Sequence, residues 1–173
     1  MRFLGAAVLV VACLPGCGRH DSDGPPAVRL GDSVCAQCNM ILSDDRFVSA
    51  TVIDGPRGPE PQLFDDFNCQ VAYEVEHAER VVLARWTHDY VSSEWITSEA
   101  AHFVIAPAMR TPMASHTAAF RSQQNAENAN AELDGEVLTF EVAWRRLGDT
   151  GIDATRGAAQ EEVRPTSEER DGP

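Results

Sequence analysis

The sequence is poor in positive charge. Its 173 residues contain 14 basic side chains against 27 acidic ones, so the formal net charge is −13 at pH 7. No run of arginine or lysine offsets this charge along the chain. Nucleic acids and anionic membrane surfaces are therefore poor electrostatic partners. A metal ion or a cationic partner suits this composition better.

The sequence also lacks the motifs of the common enzyme classes. It contains no Gly-x-Ser-x-Gly, no glycine-rich phosphate loop and no His-Glu-x-x-His. His88 and Asp89 could form an acid–base pair, but no recognisable nucleophile motif accompanies them. We therefore expect a protein that is not an enzyme.

Cysteine is scarce. Five cysteines, at positions 13, 17, 35, 38 and 69, are too few for a disulfide-dense scaffold, so the core must be packed conventionally. Cys35 and Cys38 form the one Cys-x-x-Cys of the sequence, in CAQCNM. A zinc ribbon needs four Cys or His ligands, typically in two such pairs, and the histidines supply no second pair. Disulfide, redox pair and soft-metal site remain open for Cys35 and Cys38.

The N-terminus has the composition of a secretory signal. MRFLGAAVLVVACLPGC combines one basic residue with an apolar run and small residues before a cysteine. We interpret residues 1–16 as a signal peptide, which is too short for a stable transmembrane helix. Leu14-Pro15-Gly16-Cys17 resembles a bacterial lipobox, which predicts acylation of Cys17. Acylation at Cys13, or a signal peptide without lipidation, is the alternative.

Acylation would decide the compartment. The acyl chains on Cys17 would anchor the protein stably, since each buried methylene contributes about 0.8 kcal/mol of membrane affinity. We expect a location on a bacterial membrane facing the periplasm, and Gly18, where a retention signal would place Asp, favours the outer membrane. In that compartment a Cys35–Cys38 disulfide is a real alternative to metal binding. Three thiols remain in the mature chain, so at least one has no partner within the monomer.

The pattern of alternating and helical segments predicts an α+β fold. The order strand, strand, helix, strand occurs over 34–92 and recurs, more weakly, over 93–147. Residues 17–33 are polar and rich in Gly and Pro, which predicts a flexible tether. The acidic tail 148–173 has no periodicity, and we expect it to be disordered.

Capping residues predict two helix starts. Asp65 or Asp66 can cap a helix that runs to about Glu79, and Ser115 can cap another that runs to about Glu132. A short third helix is predicted near 141–147. Strands are predicted at 47–54, 63–64, 81–86, 95–96, 101–106 and 135–140.

Soft metal donors occur in two short stretches. CAQCNM supplies Cys35, Cys38 and the thioether of Met40, and TPMASH supplies Met113 and His116. Thiolate and thioether ligands select Cu(I), and imidazole also binds copper. If Met113 lies in the first turn of a helix, Met113 and His116 share one side of it. The alternatives are that Met113 packs in the core and that His116 is an ordinary surface residue.

Cys69 falls inside the first predicted helix. A cysteine in that position is more often a small buried hydrophobic residue than a ligand. We therefore interpret Cys69 as core, and we interpret Asp65 and Asp66 as helix caps.

Five motifs occur in order along the chain: a lipobox, CAQCNMIL, FDDFNC, WITSEAAHF and TPMASHTAAF. Together they resemble the NosL family, copper-binding lipoproteins encoded with the nitrous oxide reductase system. The resemblance covers about residues 35–140. It implies two small ββαβ-type units and a Cu(I) chaperone. It also implies delivery of copper to the maturation machinery of nitrous oxide reductase through an ABC-type transporter complex.

The resemblance implies copper donors of the Cys, Met and His types. The sequence offers such donors at Cys35, Cys38, Met40, Met113 and His116. Two positions depart from the family pattern, because Asn39 and Ala114 stand where the family has glycine. Ala114 removes a flexible residue between Met113 and His116, which makes the spacing of that pair less certain.

Three functions remain open on the sequence. The leading hypothesis is a membrane-anchored Cu(I) metallochaperone that passes its ion by ligand exchange. The first alternative is a periplasmic thiol–disulfide oxidoreductase that uses Cys35 and Cys38. Its weakness is that the pair is not predicted at a strand-to-helix turn, where a helix N-terminus would lower a thiol pKa. The second alternative is a scaffold lipoprotein whose acidic surface docks a partner without metal.

Overall fold

A computed structural model describes residues 24–149. The predicted signal peptide, Cys17 and nearly all of the acidic tail lie outside the described residues. The strands are β1 (Ser49–Gly55), β2 (Gly58–Phe64), β3 (Val82–His88), β4 (Trp95–Thr97), β5 (His102–Ile105), β6 (Thr117–Phe120) and β7 (Glu136–Thr139). The helices are α1 (Phe67–Glu76), α2 (Gln123–Leu133) and α3 (140–149). Within 24–149, no helix has the length and apolar character needed to cross a membrane.

The strands form two small antiparallel sheets. The first has the order β2-β1-β3-β4 and the second has the order β6-β5-β7. Each sheet contains one strand–strand–helix–strand succession, β1-β2-α1-β3 and β5-β6-α2-β7. The predicted α+β class is confirmed. Strand β4 extends the first sheet although 95–97 falls in the second predicted unit, and the limits of the units stay a prediction.

Strand β2 begins earlier than the sequence suggested. The sequence predicted a strand only at 63–64, but Gly58 starts β2 and both Pro59 and Pro61 lie within it. The prolines are tolerated because β2 is the edge strand of its sheet, so a missing N–H need not break a ladder on both sides. The tight turn between β1 and β2 is made possible by Gly58, whose φ of +108° suits a residue without a Cβ.

The first helix starts where its capping residue predicted. The Asp66 carboxylate accepts a hydrogen bond from the Phe67 N–H at 2.7 Å, and α1 buries Phe67 and Val71. The helix ends at Glu76, three residues earlier than expected, and Val75 near its end is exposed.

The predicted helix start at Ser115 is wrong. Residues 117–120 form strand β6, which pairs along β5 and is buried at every position. Helix α2 begins only at Gln123, where the Ser122 hydroxyl accepts from the Asn125 N–H. Ser115 caps no helix, because it is buried and its hydroxyl donates to the Asp66 carboxylate.

A shared apolar core joins the two sheets. Phe67 of α1 stacks on Phe103 of β5 with ring centroids 4.5 Å apart, and it contacts Trp144 of α3 edge-on at 5.8 Å. The buried members of this core are Phe67, Val71, Ile96, Ala101, Phe103, Ala119, Leu138, Phe140 and Ala143. Since α1 supplies two of them, the helix of the first sheet is fixed by the second.

Part of the predicted tether contacts the fold. The Trp95 indole N–H donates to the Pro26 carbonyl at 3.1 Å, and Val28 packs against the apolar cluster around Cys35. The Gly31 N–H donates to the Leu42 carbonyl at 3.2 Å. From Pro26 onward the chain therefore runs along the folded surface.

Candidate metal centre

Cys35 and Cys38 lie in a tight hairpin. The Cys35 N–H donates to the Met40 carbonyl at 2.8 Å, and the Asn39 N–H donates to the Cys35 carbonyl at 3.0 Å. The turn places Asn39 at a φ of +60°, which asparagine tolerates better than most residues. A further bond, from the Ala36 N–H to the Leu63 carbonyl, fastens the hairpin to the end of β2.

A third thiol completes the site. Cys69 is the third residue of α1, and its N–H donates to the Asp66 carbonyl at 3.1 Å. The sulfur atoms of Cys35, Cys38 and Cys69 all lie within 4.8 Å of one another. All three are free thiols; Cys35 and Cys69 are buried, and Cys38 is half-buried. The prediction that Cys69 is buried is confirmed, but its side chain faces the other two thiols.

One hydrogen bond sets the protonation of the cluster. The Cys69 thiol donates to the Cys35 sulfur, and this lowers the pKa of Cys35 to about 5 against the opposing effect of burial. Backbone N–H groups of Cys38, Asp65 and Gln37 also favour the Cys35 thiolate. The same hydrogen bond, reinforced by burial, raises the pKa of Cys69. Burial raises the pKa of Cys38. Near neutral pH the cluster is therefore one thiolate flanked by two thiols.

Met113 also lies in this region of the fold. Its half-buried side chain packs against the apolar group that contains Cys35 and Cys69. The segment is a loop and not the helix start that we expected, since Ala114 and His116 both have a φ of +55°. The Met113 carbonyl accepts from the Asn68 side-chain amide at 2.9 Å, which ties this loop to α1.

The other predicted donors are placed differently. His116 Nδ1 lies 2.7 Å from the Met109 carbonyl, which leaves Nε2 as the nitrogen able to bind a metal. Among residues 24–149, the close group of Cys, His, Asp and Glu ligand atoms contains the three thiols and not His116. Met40 is 54% exposed, so its thioether extends toward solvent from the same hairpin. The assignment of His116 and Met40 as ligands stays a prediction.

The comparisons with known proteins agree with this fold. The NosL family model matches residues 28–144, a range that contains all three thiols and Met113. The chain belongs to the NosL family. This NosL chain is similar to the crystal structure of the copper chaperone NosL from Shewanella denitrificans, with a TM-score of 0.57 and 15% identity. The match covers 69% of this chain and 94% of the other, and at that identity it shows the fold. The search of curated proteins gave no match.

Proposed function

We propose that this NosL-family protein is a Cu(I) metallochaperone and that its ion is held by Cys35, Cys38 and Cys69. The observation that carries the proposal is the approach of three sulfur atoms to within 4.8 Å at the edge of a buried apolar cluster. Thiolate sulfur selects Cu(I), whereas structural zinc sites use four ligands. The thioether of Met113, which packs against the apolar cluster that includes Cys35 and Cys69, is a further candidate soft donor.

The burial of the three thiols suggests how the ion would be exchanged. Cys35 and Cys69 lie inside the fold, so they would retain the ion, while half-buried Cys38 would be the first sulfur that a partner replaces. The Cys35 thiolate attracts the cation, and binding displaces the protons of the other two thiols. A partner that offers soft ligands could thus take over the ion one bond at a time.

The proposal extends to the destination of the copper. The proposal includes delivery to nitrous oxide reductase maturation through an ABC-type transporter complex. It also includes anchoring by an acylated Cys17 to a bacterial membrane, facing the periplasm. Family membership and the lipobox-like LPGC support these two statements.

Anaerobic competition with a chromogenic Cu(I) chelator tests the proposed site. We expect the reduced protein to bind one Cu(I) per chain, with clear losses of affinity for Cys35→Ser and Cys69→Ser. Met113→Ala should weaken binding, and His116→Ala should weaken it less, because His116 is not grouped with the thiols. Native affinity in both serine variants would contradict the proposal.

A second candidate is thiol–disulfide exchange. The lowered pKa of Cys35, three residues from another cysteine, favours it. Against it, the Cys35 side chain is 0% exposed, so a protein disulfide cannot reach the thiolate without local opening. Turnover of a disulfide substrate that Cys35→Ser abolishes, in a protein without copper affinity, would favour this candidate. Failure of both assays would leave a scaffold role.

A further inference from the structure

One buried carboxylate lies between two of the three segments that bring sulfur to the proposed site, namely helix α1 and the Met113 loop. Asp66 is the N-cap of α1, which carries Cys69, and its side chain also reaches the loop that carries Met113. The residue is 0% exposed and is not one of the thiol group's members. Its side chain accepts five hydrogen bonds, and these bonds indicate its structural role.

On the helix side, Asp66 fixes Cys69. Its Oδ1 accepts from the Phe67 N–H at 2.7 Å, and its backbone carbonyl accepts from the Cys69 N–H at 3.1 Å. Since both bonds lie in the first turn, the start of α1 is held with Cys69 turned in a defined direction.

On the loop side, the same carboxylate fixes Met113. Its Oδ2 accepts from the Thr111 hydroxyl at 2.6 Å, the Met113 N–H at 3.0 Å and the Ser115 N–H at 3.3 Å. Its Oδ1 also accepts from the Ser115 hydroxyl. The loop has no regular secondary structure and contains Ala114 in the left-handed region, so these bonds supply its order.

We propose that Asp66 is a positioning residue for the copper site, which holds Met113 at a set distance from Cys69. The inference rests on the proposed function and adds a group that does not itself touch the ion. Asp66 accepts hydrogen bonds from the backbone N–H groups of both Cys69 and Met113. The position of Met113 relative to Cys69 therefore depends on Asp66. Outer groups of this kind typically change metal affinity about 10–100-fold when they are altered.

Asp66→Asn separates the two duties of the carboxylate. Asparagine is as good an N-cap as aspartate, so its Oδ1 can keep the bond to Phe67. Its amide group then replaces Oδ2 and presents N–H donors to the N–H groups of Met113 and Ser115. The helix keeps its cap, whereas Thr111, Met113 and the Ser115 N–H lose the Oδ2 acceptor.

The experiment is a double-mutant cycle of Asp66→Asn with Met113→Ala, measured by Cu(I) competition and by X-ray absorption at the copper edge. We expect the Kd for Cu(I) to rise about 10–100-fold in Asp66→Asn. The number of sulfur scatterers around copper should fall to that of Met113→Ala. The double variant should bind no more weakly than Met113→Ala alone, because Asp66 acts through Met113.

Asp89→Asn is the matched control. Asp89 is also a buried carboxylate that organises a loop, accepting from the Ser92 N–H and hydroxyl and from the Arg121 N–H. These hydrogen bonds of the Asp89 side chain reach neither a cysteine nor Met113, so we expect native Kd and native sulfur count. If Asp66→Asn does not fold by circular dichroism, Thr111→Val, which removes one loop donor and leaves the cap, should raise the Kd.

Native Kd and sulfur count in Asp66→Asn would overturn the positioning role, as would an additive loss in the double variant. If Asp66→Asn does not fold, a native Kd in the single variant Thr111→Val would also overturn the positioning role. A native protein that binds no Cu(I) would overturn the proposed function itself.

Discussion

At the scale of single residues, the hydrogen bond from Cys69 to Cys35 makes the thiol cluster sensitive to pH. The folded pKa of Cys35, about 5, lies below its ordinary value of 9.0. The unfolded chain therefore binds more protons between those values, and the free energy of unfolding of the metal-free protein rises with pH across that window. This contribution is lost as the pH falls through 5.

Cys69→Ala removes the donor of that hydrogen bond. We expect the pKa of Cys35 to rise toward 9.0 and the pH dependence of stability between 5 and 9 to flatten. Ultraviolet absorbance of the thiolate, titrated without oxygen or metal, measures the shift. Met40→Ala, an exposed change in the same hairpin, should leave the titration near 5. A Cys35 titration that stays at about 5 in Cys69→Ala would contradict this expectation.

At the scale of elements, the two positions where the resemblance implied glycine, Asn39 and Ala114, both have left-handed backbone. Asn39 has a φ of +60° in the cysteine hairpin, and Ala114 has a φ of +55° in the Met113 loop. Left-handed backbone destabilises a residue with a Cβ by roughly 1–2 kcal/mol, and the destabilisation is smaller for asparagine. Glycine would fit both positions for a conformational reason, and Ala114 is the more strained of the two.

Ala114→Gly should stabilise the protein by about 0.5–1 kcal/mol, because relief of the left-handed strain exceeds the entropy that glycine adds to the unfolded chain. Urea unfolding measures the difference. Ala131→Gly is the control, since Ala131 lies exposed in α2 at ordinary helical geometry and should lose about 0.5–1 kcal/mol. The expectation fails if both substitutions destabilise.

The elements also mark what the sequence could predict. Alternation found β1 and β3, and the Asp66 cap found α1, since both signals are local. Strand β6 was missed because four residues are too few to show alternation and all four are buried. The hairpin thiols were predicted from their spacing. Cys69 was not, because its approach to them depends on how α1 packs against the hairpin.

At the scale of the whole molecule, α1 is the link between the two sheets. Phe67 and Val71 enter the core that β5, β7 and α3 build. Arg85 of β3 adds to the link, since it pairs with Glu74 at 2.6 Å and lies over the Trp144 ring at 5.1 Å. We therefore expect the two sheets to unfold together.

Phe67→Ala should lower the free energy of unfolding by about 3–5 kcal/mol, because it leaves a cavity among stacked rings. Urea unfolding followed by fluorescence and by circular dichroism should give coincident transitions. Val75→Ala, an exposed change in the same helix, should cost at most about 0.5 kcal/mol. Equal losses in the two variants would show that α1 does not hold the sheets together.

The contact between Trp95 and the Pro26 carbonyl limits where copper could be handed over. With Cys17 acylated as proposed, the chain from Cys17 to Pro26 spans nine residue steps (26 − 17 = 9). A fully extended segment of that length would reach about 30 Å. Val28, two residues after Pro26, packs against the apolar cluster that includes Cys35 and Cys69. On this proposal Pro26 stays within about 30 Å of the acylated Cys17, and a receiving protein would have to present its own ligands on the membrane side of the space that this segment allows.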